Sequence, residues 1–285
     1  MSGRLRLDDI GFPVPDAKSY MNLGIRVAEE GESIQTPVGT YLFWSQPNGI
    51  EVWVKIAEEG QHTYLHGHFK GKARMSVAIV DKKEYESNAL AEGCFVAYPN
   101  YVEGQGFLDK NVACQYGDGT YSGYVPFLFD APDYDKYAEI PLPFLAEIQL
   151  TAFPYAMKSF ESADAWIDWQ IENKIFPADE NGNHGFIGSE AFCPEALLYR
   201  RKDKDDYPKV IAFITGLIVD TAIINNEETG EDFCWAKVLT IAGELDVVAA
   251  PDILDGPIVR YGVITCHAQL SGRILSINDL DYSTE

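Results

Sequence analysis

Residues 209–275 carry the pattern that decides the fold: KVIAFITGLIVDTAII (209–224), the turn cluster NNEETGED (225–232), FCWAKVLTIAGELDVVAA (233–250) and VRYGVITCHAQLSGRI (259–274). β-branched and aromatic runs of this length, broken by Gly- and Asn-rich turns, read as strands joined by tight hairpins. Short strands in such a series are how a small OB-like β-barrel is expected to look in sequence. Thr229 and Gly230 suit a hairpin turn, Gly216 and Gly243 suit bulges or tight bends, and Asp246 is placed to accept backbone hydrogen bonds. Arg273 lies in the closing run, where a charge needs a partner, and Asp246 is the expected one, giving a structural ion pair.

Upstream, the chain predicts a mixed unit. LDDIGFPV (7–14) is expected as a strand, DAKSYMNLGIRVAEEG (16–31) as a helix started at Asp16 and stopped at Gly31, then TYLFWSQ (40–46) and GIEVWVKI (49–56) as strands. In the last of these Ile50, Val52 and Val54 alternate with Glu51, Trp53 and Lys55, so a βαββ unit with one outward face is expected. KARMSVAIV (72–80) and CFVAYP (94–99) read as strands around a short charged helix in 81–93, and YVPFLFD (124–130) as another strand. The Gly- and Asn-rich stretch 101–123 reads as a surface excursion. Pro132, Pro141 and Pro143 make 130–143 a poor helix and a natural boundary. Residues 144–174 mix strand and helix signals, with Ser162 and Asp164 as candidate caps, 180–188 reads as a turn, and 200–209 as a charged loop.

The fold expectation is therefore α+β: a β-rich, two-part protein with an N-terminal mixed α+β domain over 1–146 and a C-terminal domain over 147–285 ending in the barrel of 209–275.

Composition narrows the function classes. The 285 residues are 46% hydrophobic and 13% aromatic, which supplies a packed core. Lys and Arg number 22 against 44 Asp and Glu, a net charge of −22. A field of that sign repels phosphate backbones, so nucleic acid is not an expected partner even though Phe213, Phe233, Trp235 and Tyr261 could stack bases. Five dispersed cysteines (Cys94, Cys114, Cys193, Cys234 and Cys266) fit reduced thiols of a cytoplasmic protein better than a disulfide framework. The N-terminus has no apolar signal core and no stretch approaches a membrane span, which points the same way. No nucleophile elbow, phosphate-binding loop or dinucleotide fingerprint is present.

Two groups of residues could carry chemistry. HTYLHGH (62–68) places His66 and His68 on one face if extended, with His62 able to join them, a donor set suited to zinc or iron. Competing with that is a simple loop between strands. His184 and His267 are isolated and read as structural.

The opening LDDIGFPVPD resembles the entry strand of the vicinal-oxygen-chelate (glyoxalase-like) superfamily, with Asp9 where that family commonly has a metal-binding His, and Glu51 where it has a metal-binding Glu. That resemblance implies a divalent-metal site and a metal-dependent enzyme over residues 7–57. The rival placement turns Glu51 to solvent.

The C-terminal landmarks (Gly216, Asn226, Thr229, Gly230, Phe233, Gly243, Asp246 to Val248, and Leu270 to Arg273) resemble a family of uncharacterised bacterial cytosolic proteins. Where that family often has paired aromatics before Leu-Ser-Gly-Arg, this chain has Ala268 and Gln269. The likeness implies a fold and a bacterial cytoplasmic setting and no activity. The functional expectation is a non-enzymatic binding protein without cofactor. Its acidic surface suits a basic protein partner, of immunity or inhibitor type, and a homodimer is the default assembly.

Overall fold

The computed structural model of the chain describes residues 6–37, 39–56, 62–84, 93–99, 126–177, 182–195 and 210–278. Among these the strands form two sheets, and two α-helices flank them. The protein is α+β and β-rich, and among the described residues no helix is long and apolar enough to cross a membrane.

Residues 7–14 are not a strand. Asp8–Ile10 form a single 3₁₀ turn ended by Gly11, and Leu7, Asp9 and Ile10 are buried. Helix α1 (Ala17–Glu30) starts as expected: the Asp16 carboxylate accepts from the Ser19 backbone N–H at 2.8 Å, satisfying one of the free donors of the first turn. Four antiparallel strands follow, β1 (Glu32–Thr36), β2 (Gly39–Ser45), β3 (Ile50–Ile56) and β4 (His62–Phe69), paired in chain order as a meander. This small sheet replaces the expected βαββ unit.

The large sheet contains β5 (Met75–Glu84), β6 (Gly93–Pro99), β7 (Phe127–Asp130), β8 (Phe144–Phe160), β9 (Phe192–Pro194), β10 (Ile211–Asn225), β11 (Asp232–Thr240), β12 (Gly243–Ala249), β13 (Leu254–Asp255) and β14 (Val263–Asn278). Residues 81–84, expected to begin a helix, extend β5 and pair with β6; the rest of that expected helix up to residue 92, the stretch 101–123 and the loop 200–209 lie outside the described residues. The segment 130–143, expected as a boundary, is packed inside at its 3₁₀ turn Tyr134–Tyr137, with Asp133, Tyr134, Asp135 and Tyr137 buried. Helix α2 (Ala163–Glu172) is capped by Ser162, whose Oγ accepts from Ala165 N at 3.1 Å.

β8 organises this sheet. It pairs antiparallel with β14 over nearly its whole length, antiparallel with β5, and parallel with β12 and β13. Two circuits of pairings share the β8–β14 pair, one running β8–β14–β10–β11–β12 and back to β8, the other β8–β5–β6–β7–β14. The strands of 209–275 therefore do not close on themselves, because the circuit from β12 back to β14 is completed by β8, which lies outside that stretch. The boundary expected after residue 146 falls inside β8.

Burial follows these pairings. The larger core gathers the inward residues of β5 to β8, β10 to β12 and β14, among them Phe95, Phe127, Ile148, Ile214 and Leu245. A second core joins the even-numbered face of β3 (Ile50, Val52, Val54) to Leu23 and Val27 of α1 and to Phe153, Phe233, Trp235 and Val248 of the large sheet. The odd-numbered face of β3 is buried as well, with Glu51 at 1% and Trp53 at 1% exposure. The expectation that Glu51 faces solvent is thus corrected: β3 runs between two packed layers and has no outward face.

Candidate functional site

Where the small sheet meets the large one, each contributes two neighbouring strands carrying polar residues two apart, and these therefore share a face. On the small sheet Glu51 pairs in register with His68, and Trp53 with His66. On the large sheet Gln149 pairs with Arg273, and Thr151 with Ser271. Glu51, His66, His68, Gln149, Thr151 and Ser271 are all buried, so their polar atoms must satisfy one another.

They do so in a chain whose polarity is set by Asp246. That carboxylate accepts from the backbone N–H of Lys72 (3.1 Å) and Ala73 (3.0 Å), from Trp235 Nε1 (2.8 Å) and from Gln149 Nε2 (2.8 Å). With its amide nitrogen on Asp246 and on Thr151 Oγ1 (2.7 Å), Gln149 turns its oxygen to His68 Nε2 at 2.8 Å. His68 must then donate from Nε2 and accept at Nδ1, where Ser271 Oγ lies 2.9 Å away. Thr151 Oγ1 donates onward to the Phe69 carbonyl at 2.7 Å. Burial, reinforced by the Arg273 charge, lowers the His68 pKa to about 3, so its ring is neutral. Burial raises the Asp246 carboxyl against the lowering effect of its donors.

Arg273 makes a second knot. Its Nη1 donates to both Glu51 oxygens (3.0 and 3.2 Å) and its Nη2 to Asp133 Oδ2 (3.4 Å). The guanidinium also lies 4.6 Å from the Trp53 ring centroid, and Trp53 Nε1 donates to Glu51 at 3.1 Å. Burial raises the Glu51 pKa, and Arg273 opposes that shift. The expected Asp246–Arg273 ion pair is corrected: Arg273 does have buried carboxylate partners, but they come from β3 and from the 130–143 segment, while Asp246 is occupied by four N–H donors.

The metal candidates separate in the same way. His66 and His68 share the inward face of β4 as period two requires, and Arg6 Nη1 donates to His66 Nε2 at 3.0 Å while Ser271 lies between the two rings. Glu51 is held by Arg273 and Trp53. Asp9 sits in the 3₁₀ turn, accepting from Ala250 N at 3.4 Å, and the side chain of His62 lies outside the described ones. Among the described residues no group of three or more His, Cys, Asp or Glu side chains could hold a metal ion. Ser271 and His68 have the spacing of a nucleophile and its base, yet both are fully buried and the imidazole is too weakly basic to take a proton near neutrality. The four aromatic residues considered for base stacking are dispersed: Phe233 and Trp235 are core, Phe213 packs on His267, and Tyr261 is exposed beneath Arg260.

Above the Arg273–Glu51 knot opens a cleft of about 740 Å³. The β2–β3 turn forms one side, the β4–β5 connection at Lys70 to Lys72 another, and Ala222, Ile224 and Trp235 of β10 and β11 the third. Its outer end is held by a clamp of amides: the buried Gln46 Nε2 donates to Asn226 Oδ1 at 2.9 Å, the buried Asn226 Nδ2 to the Ile10 carbonyl at 2.9 Å, and the more exposed Asn48 Nδ2 to the Asn225 carbonyl at 2.9 Å. Sequence inspection missed Gln149, Thr151 and Gln46; their signal was a polar residue recurring every second position in an otherwise apolar strand, or an amide in a turn. Comparison with protein-family models, with curated proteins and with solved structures finds no match, so the two resemblances rest on the residues quoted for them.

Proposed function

We propose that this chain is a non-enzymatic binding protein that takes a small-molecule ligand in the cleft between the two sheets. The circuit of β8, β14, β10, β11 and β12 is read as a small OB-like barrel acting as its scaffold. The observation that carries the proposal is the cleft itself. At about 740 Å³ it has the size of small-molecule sites. Its walls combine Phe43, Phe69, Ile224 and Trp235 with a few convergent charged groups. What argues for binding rather than turnover is the placement of the reactive residues, since Ser271 and His68 are sealed beneath the cleft in hydrogen bonds that leave neither available.

The test is affinity selection from a pooled small-molecule extract, read by mass spectrometry, on the wild-type chain and on Ala222→Trp. Ala222 lines the cleft and is exposed, so the indole fills the space without disturbing the core. Molecules retained by the wild type and lost from the variant support the proposal; a retained set identical for both proteins overturns it.

A second reading rests on the charge of −22: the outer surface engages a basic protein partner, with steering that weakens as salt is added. A binding constant for such a partner that does not change between low and high salt removes it.

A further inference from the structure

The cleft reverses the charge balance of the chain that contains it. Acids outnumber cations 44 to 22 over the whole sequence, whereas the charged residues lining the cleft are Lys70, Lys72 and Arg273 against Glu51 alone. Glu51 and Arg273 neutralise each other, which leaves Lys70 and Lys72 as the cations that face the opening. Lys72 Nζ lies 4.5 Å over the Trp235 ring and 3.1 Å from Asp220, an exposed pair that solvent screens. Lys70 makes no salt bridge among the described residues, although its charge reaches Glu51.

Both lysines are set by a fixed backbone. Gly71 between them lies against the Asp246 carboxylate, and the N–H groups of Lys72 and Ala73 are bonded to it. A loop anchored in this way fixes where the two lysine stems leave the backbone, so that binding orders their side chains and not the loop itself. The remaining wall is aromatic and aliphatic, with the Phe43 ring 4.3 Å from Trp53 and Ile224 opposite the turn.

We propose that the cleft seats a small planar organic oxyanion, an aryl carboxylate or aryl phosphate, with its oxygens between Lys70 and Lys72 and its ring against Phe43 and Ile224. This rests on the cleft being a ligand site at all. The two sources share one chemistry: a charged oxygen group on a flat apolar body, matched by ammonium donors beside an apolar wall.

Titration calorimetry with four probes of similar shape tests it: benzoate, phenyl phosphate, benzyl alcohol and benzamidine. The expected result is that benzoate or phenyl phosphate binds at least about ten-fold more tightly than the neutral and cationic probes. Whichever of the two binds more tightly distinguishes the carboxylate from the phosphate source. That preference should fall about ten-fold in Lys70→Gln/Lys72→Gln, and all binding should be lost in Ala222→Trp. Equal or tighter binding of benzyl alcohol or benzamidine, lost in Ala222→Trp, overturns the oxyanion seat and leaves the cleft proposal standing. Absence of binding by all four probes at millimolar concentration, or a preference unchanged in the lysine variant, also overturns it.

Discussion

Arg273 on β14 and Glu51 on β3 meet across the two sheets at 3.0 and 3.2 Å, and with Asp133 they form a buried knot that ties the small sheet to the large one. Removing one partner of such a pair leaves a charge in a poorly hydrated place. Glu51→Gln is expected to cost about 3 kcal/mol of stability, and Glu51→Leu/Asp133→Asn/Arg273→Met, which removes all three charges of the knot, less than the single change. Urea unfolding of the three proteins checks this; a single variant within about 1 kcal/mol of wild type would show that the knot does not hold the sheets together.

His68 gives stability a sign in acid. Its folded pKa is lowered to about 3 from the 6.5 of an unburied histidine. Between those values the unfolded chain takes up a proton that the folded chain refuses, so this stability is complete above the higher value and is lost as pH falls toward the lower one. From about pH 7 to about pH 5 the wild type should lose on the order of 2 kcal/mol more than His68→Gln. Glu51 and Asp246, both raised by burial, act with the opposite sign as pH rises and are retained in both proteins. Equal losses in the two chains would contradict a neutral, buried His68.

Gly71 is required by its closeness to Asp246. A Cβ there would fall well inside contact distance of the carboxyl group, whereas one at Gly188 would meet nothing within 4 Å. Gly71→Ala is expected to cost about 1–3 kcal/mol and Gly188→Ala very little, read from denaturation midpoints. A mild Gly71→Ala would mean that the β4–β5 connection can move off its anchor.

Trp235 and Asp246 are coupled through a 2.8 Å hydrogen bond. Trp235→Phe removes one donor from a buried carboxylate, at a cost of about 2 kcal/mol. In a double-mutant cycle with Asp246→Asn the coupling should be at least about 1 kcal/mol; additive effects would place the indole N–H outside the network.

The described cysteines differ in access. Cys193 is exposed, while Cys94, Cys234 and Cys266 are buried and burial pushes the Cys266 thiol up to about 12. Alkylation of the native Cys114→Ser chain, mapped by mass spectrometry, should label Cys193 well before the other three. Rapid labelling of Cys266 would contradict its place in the core.

Local signals were legible wherever the chain itself supplies the physics. Asp16 and Ser162 do cap helices, and Gly230 does take a left-handed turn (φ 78°) between β10 and β11. The His66–Gly67–His68 spacing placed two imidazoles on one face of a strand. The opening Leu7 to Val14 read wrongly because an apolar run with Gly and Pro fits a buried 3₁₀ turn as well as a strand. Residues 81–84 read wrongly because charged residues with helical propensity extend β5 once β6 supplies backbone partners, and pairing outweighs propensity.

By itself the sequence determined the α+β class, the strands of 209–275 and the acidic balance, because turn chemistry, period-two patterning and charge are properties of neighbouring residues. Only the tertiary structure decided that Arg273 pairs with Glu51 and Asp133, that Asp246 is taken by four N–H donors, and that three cations line a cleft in an acidic chain. Those facts depend on residues as much as 222 positions apart, brought face to face where the small sheet packs against the large one. Burial then decides which of the many available carboxylates each cation meets, since in a poorly hydrated interface every charge must find a partner within reach.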